Sequence, residues 1–315
     1  MNVKYLLSLL AVASLVACSD DESSPTKVQP VAASSSDAMF APASSADPFF
    51  ASSSSAFVDP AQVPASSAVS GNFDFKKYQL YGCELTGLEQ FKYGRFEARM
   101  KMAAVSGSVS SMFLNYDNSY LKKQEPWNEI DIEVLGKSNT SWQSNIITRE
   151  PDVDKANPNI SSEKIHEFGF DATADFHLYA IVWTPEYIAW EIDSVEVRRD
   201  VVGQETTLAH DQVAFMTEEQ SLRFNLWVSK SASWTGKFTG EGVPTEQQID
   251  YVRVYSYDEA TKAFTFSWQD DFEGTSLDAK RWSRGNWEME RVQYRPQNIK
   301  VRDGLVHIIL DYEEI

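Results

Sequence analysis

A chain of 315 residues that is 43% hydrophobic and 13% aromatic, with nine Trp, holds enough apolar mass for one sizeable core. Its formal net charge of −18 and isoelectric point near 4.6 argue against nucleic acid and anionic lipid surfaces as partners, because an acidic chain is repelled by phosphates. Aromatic abundance without basic patches points to stacking on neutral ligands, sugars being the obvious class, although most of the Trp and Tyr are expected simply to fill a β core.

Residues 1–17 contain Lys4 and then a short apolar run, Tyr5 to Ala13, too short to span a bilayer as a helix. The run ends in Leu15-Val16-Ala17-Cys18, which resembles a bacterial lipoprotein signal with cleavage before Cys18 and lipid attachment to its sulfur. On that reading the protein is exported and anchored to the cell envelope, and touches membrane only through its lipid. Residues 18–72 are Ser, Ala and Pro with a few acids, and such a composition buries too little apolar surface to offset chain entropy. A disordered tether is expected there, with one globular domain over residues 73–315 and a monomer overall. Cys83 is then a lone thiol, expected to sit buried in a strand.

Within the globular part, Tyr93–Met102 alternates apolar and polar residues and predicts a strand. Further strands are predicted at Ser110–Leu114, Trp142–Thr148, His177–Thr184, Tyr187–Asp193, Leu222–Val228, Ile249–Tyr257, Ala263–Trp268 and Asn298–Leu310. Turn residues separate them at short intervals, and neither a long amphipathic helix pattern nor an internal repeat is present. Many short strands with little helix predict an all-β sandwich or jelly roll.

Between these lies Pro126-Trp127-Asn128-Glu129-Ile130-Asp131-Ile132-Glu133-Val134-Leu135-Gly136. Strict alternation with β-branched partners predicts a half-buried strand, with Glu129, Asp131 and Glu133 on one face and Ile130, Ile132 and Val134 on the other. Three carboxylates in a row repel one another, a poor arrangement for structure alone. The row suits chemistry that needs one carboxyl ionised and a neighbour protonated. No other chemistry competes. The four His (His166, His177, His210, His307) lack metal-ligand spacing, no cysteine pair can hold zinc, and no Gly-x-Ser-x-Gly elbow or phosphate-cradling Gly loop occurs. Two carboxyls flanking a scissile bond are the general requirement of glycoside hydrolysis, and retaining enzymes need them roughly 5–5.5 Å apart. Residues i and i+4 on a flat strand have Cα atoms about 13 Å apart. The reading therefore demands a curved sheet.

The Pro-Trp-x-Glu-Ile-Asp-Ile-Glu stretch resembles glycoside hydrolase family 16, and within it the bacterial lichenases, which are 1,3-1,4-β-glucanases. Laminarinases and agarases usually carry one extra residue before the last Glu. Tyr93–Met100, Gln143-Ser144-Asn145, Phe176 to Pro185 and Arg223-Phe224-Asn225-Leu226-Trp227 extend the resemblance over nearly all of residues 73–315. One part stands out of order. A Trp-x-Asp-x-Phe segment that usually opens such chains occurs here as Trp268–Phe272, followed by Arg281-Trp282 and Gly285-Asn286-Trp287. The order resembles the circularly permuted lichenases of rumen fibre degraders, and permutation is tolerated where the original termini lie close together at the surface.

The resemblance implies a concanavalin A-like sandwich whose curved sheet forms the cleft, and a retaining endo-glucanase acting on mixed-linkage 1,3-1,4-β-glucan by double displacement. Another β-glucan, such as xyloglucan or laminarin, is the enzymatic alternative; a non-catalytic glycan-binding sandwich is the other. Glu129 would be the nucleophile, Glu133 the general acid/base, and Asp131 the residue that orients Glu129. Phe113, Trp127, Gln143, Asn145, Arg223, Asn225, Trp227, Trp234 and Trp287 would bind substrate, while Trp183 and Trp190 belong to the core. His177 either hydrogen-bonds near the acids or is a satisfied core histidine. No cofactor is needed for the chemistry. Asp250, Asp271 and the carbonyl of Gly304 correspond to a structural calcium site, with a plain surface pair of acids as the alternative. Two departures fall in the expected cleft: Asn115 follows Phe113-Leu114 where lichenases have Tyr, leaving Tyr116 one residue late, and Glu290 stands in a shortened loop.

Overall fold

The computed structural model describes residues 72–204 and 208–315, so Cys18, the signal and most of the tether lie outside the described residues. Among them the chain forms eighteen strands and three short helical turns. The all-β expectation holds.

In chain order, β1 (Tyr78–Phe91) is a long strand with no counterpart among the predicted ones. β2 (Gly94–Lys101), β3 (Ser108–Asn115), β4 (Trp127–Leu135) and β5 (Ser141–Arg149) lie where alternation placed them. The short β6 (Ile160–Ser161) and β7 (Lys164–Glu167) pair onto β5. β8 (His177–Trp183) and β9 (Tyr187–Ile192), both predicted strands, pair as a hairpin, which β10 (Val195–Val201) extends. β11 (Gln220–Val228), β12 (Thr245–Asp258) and β13 (Ala263–Asp270) follow. Three short strands come next, β14 (Trp282–Arg284), β15 (Glu288–Met289) and β16 (Val292–Tyr294). The predicted strand Asn298–Leu310 is in fact two, β17 (Ile299–Arg302) and β18 (Leu305–Glu314). Asp303 and Gly304 between them both have positive φ (55° and 71°), the geometry of a tight two-residue hairpin. The Asp-Gly pair was a readable turn signal inside an otherwise apolar run.

The strands build two antiparallel layers. One runs β14-β1-β11-β3-β4-β5-β7, the other β10-β9-β8-β2-β12, with β13 and β18 sharing the far edge of β12. β1 belongs to both ends of the structure: Tyr78–Tyr81 pair with β18, and Cys83–Phe91 pair with β11. Residues beyond 258 thus complete both layers.

The alternation of the acidic stretch translates directly into burial. Ile130, Ile132 and Val134 are fully buried between the layers, together with Phe96, Trp183, Trp190 and Phe224, and Cys83 is buried in β1. Trp190 on β9 donates its indole N–H to the backbone oxygen of Asp131 at 2.9 Å, so the second layer braces the acidic strand from behind. The layer that carries the acids curls, and Glu129, Asp131 and Glu133 line one cleft.

Gly136 ends the acidic stretch for a steric reason. A Cβ there would stand 1.8 Å from the backbone oxygen of Val105, which a side-chain rotation cannot relieve. Gly136→Ala is therefore expected to destabilise the fold by about 1–3 kcal/mol, the usual cost of overpacking. Thermal unfolding should show a drop of several degrees; an unchanged Tm would contradict this steric account.

Candidate active site

The registers of five neighbouring strands set out the site. Across β3, β4 and β5, Ser111 stands opposite Glu133 and Glu133 opposite Gln143, while Phe113 faces Asp131 and Asp131 faces Asn145. Asn115 stands opposite Glu129. On the other flank of β3, Asn225 pairs with Ser111 and Arg223 with Phe113, and Glu84 of β1 lies opposite Asn225. Since side chains one row apart share a face, these rows form the floor of a cleft of about 630 Å³. Its lining includes the three acids together with Phe113, Asn115, Trp127, Arg223, Asn225, Trp227 and Trp287.

The three carboxyls differ in what surrounds them. Burial raises the pKa of all three, because a charged carboxylate loses hydration in the cleft floor. Glu129 has the strongest provision for charge: Trp127 Nε1 donates to its Oε2, Asn115 Nδ2 donates to the same oxygen at 3.2 Å, and the Arg223 guanidinium adds a favourable field. Asp131 has the least. It is buried and flanked by both glutamates, and burial first, then the charges of those neighbours, push it well above the ordinary carboxylate range. Its Oδ2 has no hydrogen-bond partner within the protein. Glu133 is pushed up to about 8, first by burial and then by the charge of Glu129, with one opposing hydrogen bond from Gln143 Nε2 at 2.7 Å. One row thus contains a carboxyl equipped to ionise and a neighbour equipped to stay protonated.

Six of the nine expected substrate contacts line the cleft: Phe113, Trp127, Arg223, Asn225, Trp227 and Trp287. Trp287 is 44% exposed, free to offer a ring face. Gln143 and Trp234 stand behind Glu133 in a relay, Trp234 Nε1 donating to Gln143 Oε1 at 3.1 Å. Asn145 is different. Its side-chain oxygen accepts from Ser161 and from the backbone of Ser162, so it fastens the segment beyond β5 rather than lining the cleft. Trp183 and Trp190 are fully buried, as expected.

The alternation reading also missed residues. Glu84 is buried in the cleft wall and accepts from Arg223 Nη1 at 3.1 Å, while Asp117 accepts from Arg223 Nη2 at 2.6 Å. Ser111, Ser119, Tyr120 and Met289 complete the lining, and Tyr120 is 69% exposed on the β3–β4 loop. Glu84 sits on the unpredicted β1, and the loop residues carry no periodic signal at all.

One expectation changes and one alternative is decided. Glu290 does not line the cleft: its carboxylate turns to the backbone N–H of Lys230 at 2.6 Å and the hydroxyl of Ser229 at 3.0 Å. His177 lies on β8 in the opposite layer, where it bonds Asp193 at 2.8 Å and stacks on Phe170, and is not near the acids. Tyr116, by contrast, stays out of the cleft as its register predicts, donating its hydroxyl to Glu125.

The strand registers bring the candidate calcium residues toward one edge of β12. Asp271 follows β13, Gly304 lies in the β17–β18 turn, and both strands pair with β12 on either side of Asp250. Oxygen donors of this kind suit calcium, but Asp250 is ion-paired with Arg99 at 2.6 Å. Among the described residues no three His, Cys, Asp or Glu cluster as a metal site.

The sequence pattern of the glycosyl hydrolases family 16 matches residues 57–253, well over half of the chain. The chain belongs to glycosyl hydrolase family 16. It is 43% identical over 256 residues to a β-glucanase of Fibrobacter succinogenes, covering 79% of this chain and 68% of that protein. A β-glucanase of Bacillus subtilis is 34% identical over 180 residues, covering 56% of this chain and 64% of its own length. Among solved structures, a prokaryotic β-1,3-1,4-glucanase (lichenase) derived from a mouse hindgut metagenome is 31% identical, with a TM-score of 0.42 and coverage of 55% of this chain and 70% of that one. This family 16 chain is a glycoside hydrolase of the β-glucanase group.

The raised pKa of Glu133 has a consequence for stability. A folded-state pKa near 8 against an ordinary 4.5 means that the folded chain holds a proton the unfolded chain releases. The associated stability is full below about pH 4.5 and is lost as pH rises through 8. Glu133→Gln, which cannot ionise, should match wild type near pH 4.5 and exceed it in Tm at pH 9. A difference that does not change with pH would contradict the assignment.

Proposed function

We propose that this glycoside hydrolase is an endo-β-glucanase that cleaves mixed-linkage 1,3-1,4-β-glucan with retention. The observation that carries this reading is the unequal environment of two carboxyls on one strand, Glu129 provided for as an anion and Glu133 as an acid. In the first step an oxygen of Glu129 bonds to the anomeric carbon as the glycosidic C–O bond breaks. The proton of Glu133 passes to the departing oxygen. In the second step Glu133, now a carboxylate, takes a proton from water as the water oxygen bonds to the same carbon and releases Glu129. Asp131 orients Glu129 and, by resisting ionisation, tempers the repulsion three adjacent charges would bring.

The choice of glucan rests on the β-glucanase relatives and on the cleft. Trp127, Trp227 and Trp287 offer apolar faces for sugar rings, and Arg223 and Asn225 offer hydrogen bonds for hydroxyls. A panel of lichenan, laminarin and xyloglucan tests it: lichenan is expected to be cut fastest, into short oligosaccharides. Proton NMR of the first products should show the β anomer, and an initial α anomer would overturn retention. Glu129→Ala and Glu133→Gln should each lose roughly 10²–10⁴-fold or more in kcat on the best glucan. Activity should also fall as pH rises past about 8, where Glu133 loses its proton. Glucan binding without cleavage would instead favour a binding protein.

A structural calcium ion at Asp250, Asp271 and the carbonyl of Gly304 is part of the same proposal. Binding there requires Asp250 to exchange its Arg99 partner for the cation. If the site is real, millimolar calcium should raise Tm and a chelator should reverse the gain. No shift would leave Asp250 and Arg99 as a plain surface ion pair.

A further inference from the structure

Asn115 stands where its own strand ends and directly opposite Glu129 across the β3–β4 ladder. It is buried at 8% exposure and lines the cleft. Its Nδ2 donates to Glu129 Oε2, the oxygen that Trp127 Nε1 also reaches. A carboxylate oxygen has two in-plane lone pairs, so two donors saturate it. Glu129 Oε1 receives neither of them.

We infer that Asn115 is a positioning residue for the nucleophile: with Trp127 it pins Glu129 Oε2, fixes the rotation of the carboxylate, and leaves Oε1 as the oxygen that bonds to the anomeric carbon. The inference rests on the proposed role of Glu129. It concerns a residue whose type departs from the Tyr of lichenases and which no resemblance singled out for a role. The amide orientation follows from chemistry, since the reverse orientation would set the amide oxygen against an anionic carboxylate.

Pinning matters for two reasons. A carboxylate free to rotate presents its attacking lone pair for only part of the time, and small misplacements cost large factors in rate. A donor to the charged form also favours ionisation, so the hydrogen bond helps Glu129 resist the burial that opposes its charge. The charged groups facing Glu129 are Asp131 and Glu133 on its own strand, Arg223 on β11, and Glu84 on β1; Asp117 on the β3–β4 loop acts on it through Arg223. All of these stay in place when Asn115 alone is changed.

The test uses the full chain and whichever of lichenan, laminarin or xyloglucan it cleaves. Asn115→Leu removes the donor at similar size, and Asn115→Asp replaces it with a near-isosteric carboxyl. Kinetics across pH 4–9 are expected to show kcat lowered roughly tenfold, the worth of one hydrogen bond to a charged group, with KM little changed. The acid limb of the profile should move to higher pH, and further for Asp than for Leu, because a second carboxyl opposes the charge of Glu129. Asn115→Gln, with a donor of longer reach, should recover part of the rate. If Asn115→Leu does not fold by its Tm, the near-isosteric Asp variant carries the test. Wild-type kcat and an unmoved acid limb in a folded variant would overturn the inference. Glu129→Ala serves as the control. If it remains active, the nucleophile assignment fails; if it is inactive while the Asn115 variants behave as wild type, only the role of Asn115 fails.

Discussion

The structure depends on keeping three carboxyls side by side, out of water, on one strand. Burial of each carboxylate is costly and mutual repulsion adds to the cost, so the row persists only if some of the acids stay protonated or find donors. The fold supplies both. Asp131 is the most enclosed of the three and the least disposed to ionise, while Glu129 collects donors from Trp127 and Asn115 and a field from Arg223. Burial first, and then the same repulsion that makes the row expensive, push Glu133 up to about 8, so that it holds its proton in the neutral range. Cost and chemistry have one origin.

The rest of the sandwich serves to hold that row in shape. The apolar residues that alternate with the acids, Ile130, Ile132 and Val134, are fully buried, and Trp190 from the other layer bonds the backbone beneath Asp131. A shift of one residue in register would turn every acid into the core, so the buried face fixes which side the acids take. Around the rim, charge is matched in the same way. Arg223 stands between Glu84 and Asp117 and so joins β1, β11 and the β3–β4 loop into one wall of the cleft. Loop residues Ser119 and Tyr120 on that wall gain their place from this network and from Arg149, which donates to the backbone of Ser119.

How far the sequence could be read follows from the range of each interaction. Alternation reports the neighbours two residues away on the same strand, and it gave β2 to β5, β8, β9, β11, β12 and β13 with the face of every acid. It did not reveal β1, although Cys83 was expected in a strand, because one strand that serves two layers has no single buried face. Its burial runs through Gly82, Cys83, Glu84 and Leu85 without a gap. Nor did it separate β17 from β18, where apolar residues continue on both sides of a two-residue turn. Asn145 and Glu290 were placed in the cleft by resemblance, and their partners are Ser161, Ser162, Ser229 and Lys230. Those contacts depend on loop paths that carry no period.

The sequence by itself determined the all-β class, the acidic strand and the two faces of that strand, because the period-2 geometry of an extended chain leaves no freedom in which side chains stand together. The motif series that accompanies the strand also identified the family. Only the tertiary structure decided how unlike the three acids are. Burial, donors and neighbouring charge come from β1, β3, β5, β9 and β11, brought together by registers that local sequence does not encode. It is likewise the tertiary structure that makes Asn115 a partner of Glu129. Fourteen positions separate the two in the chain, and one ladder rung joins them in the fold.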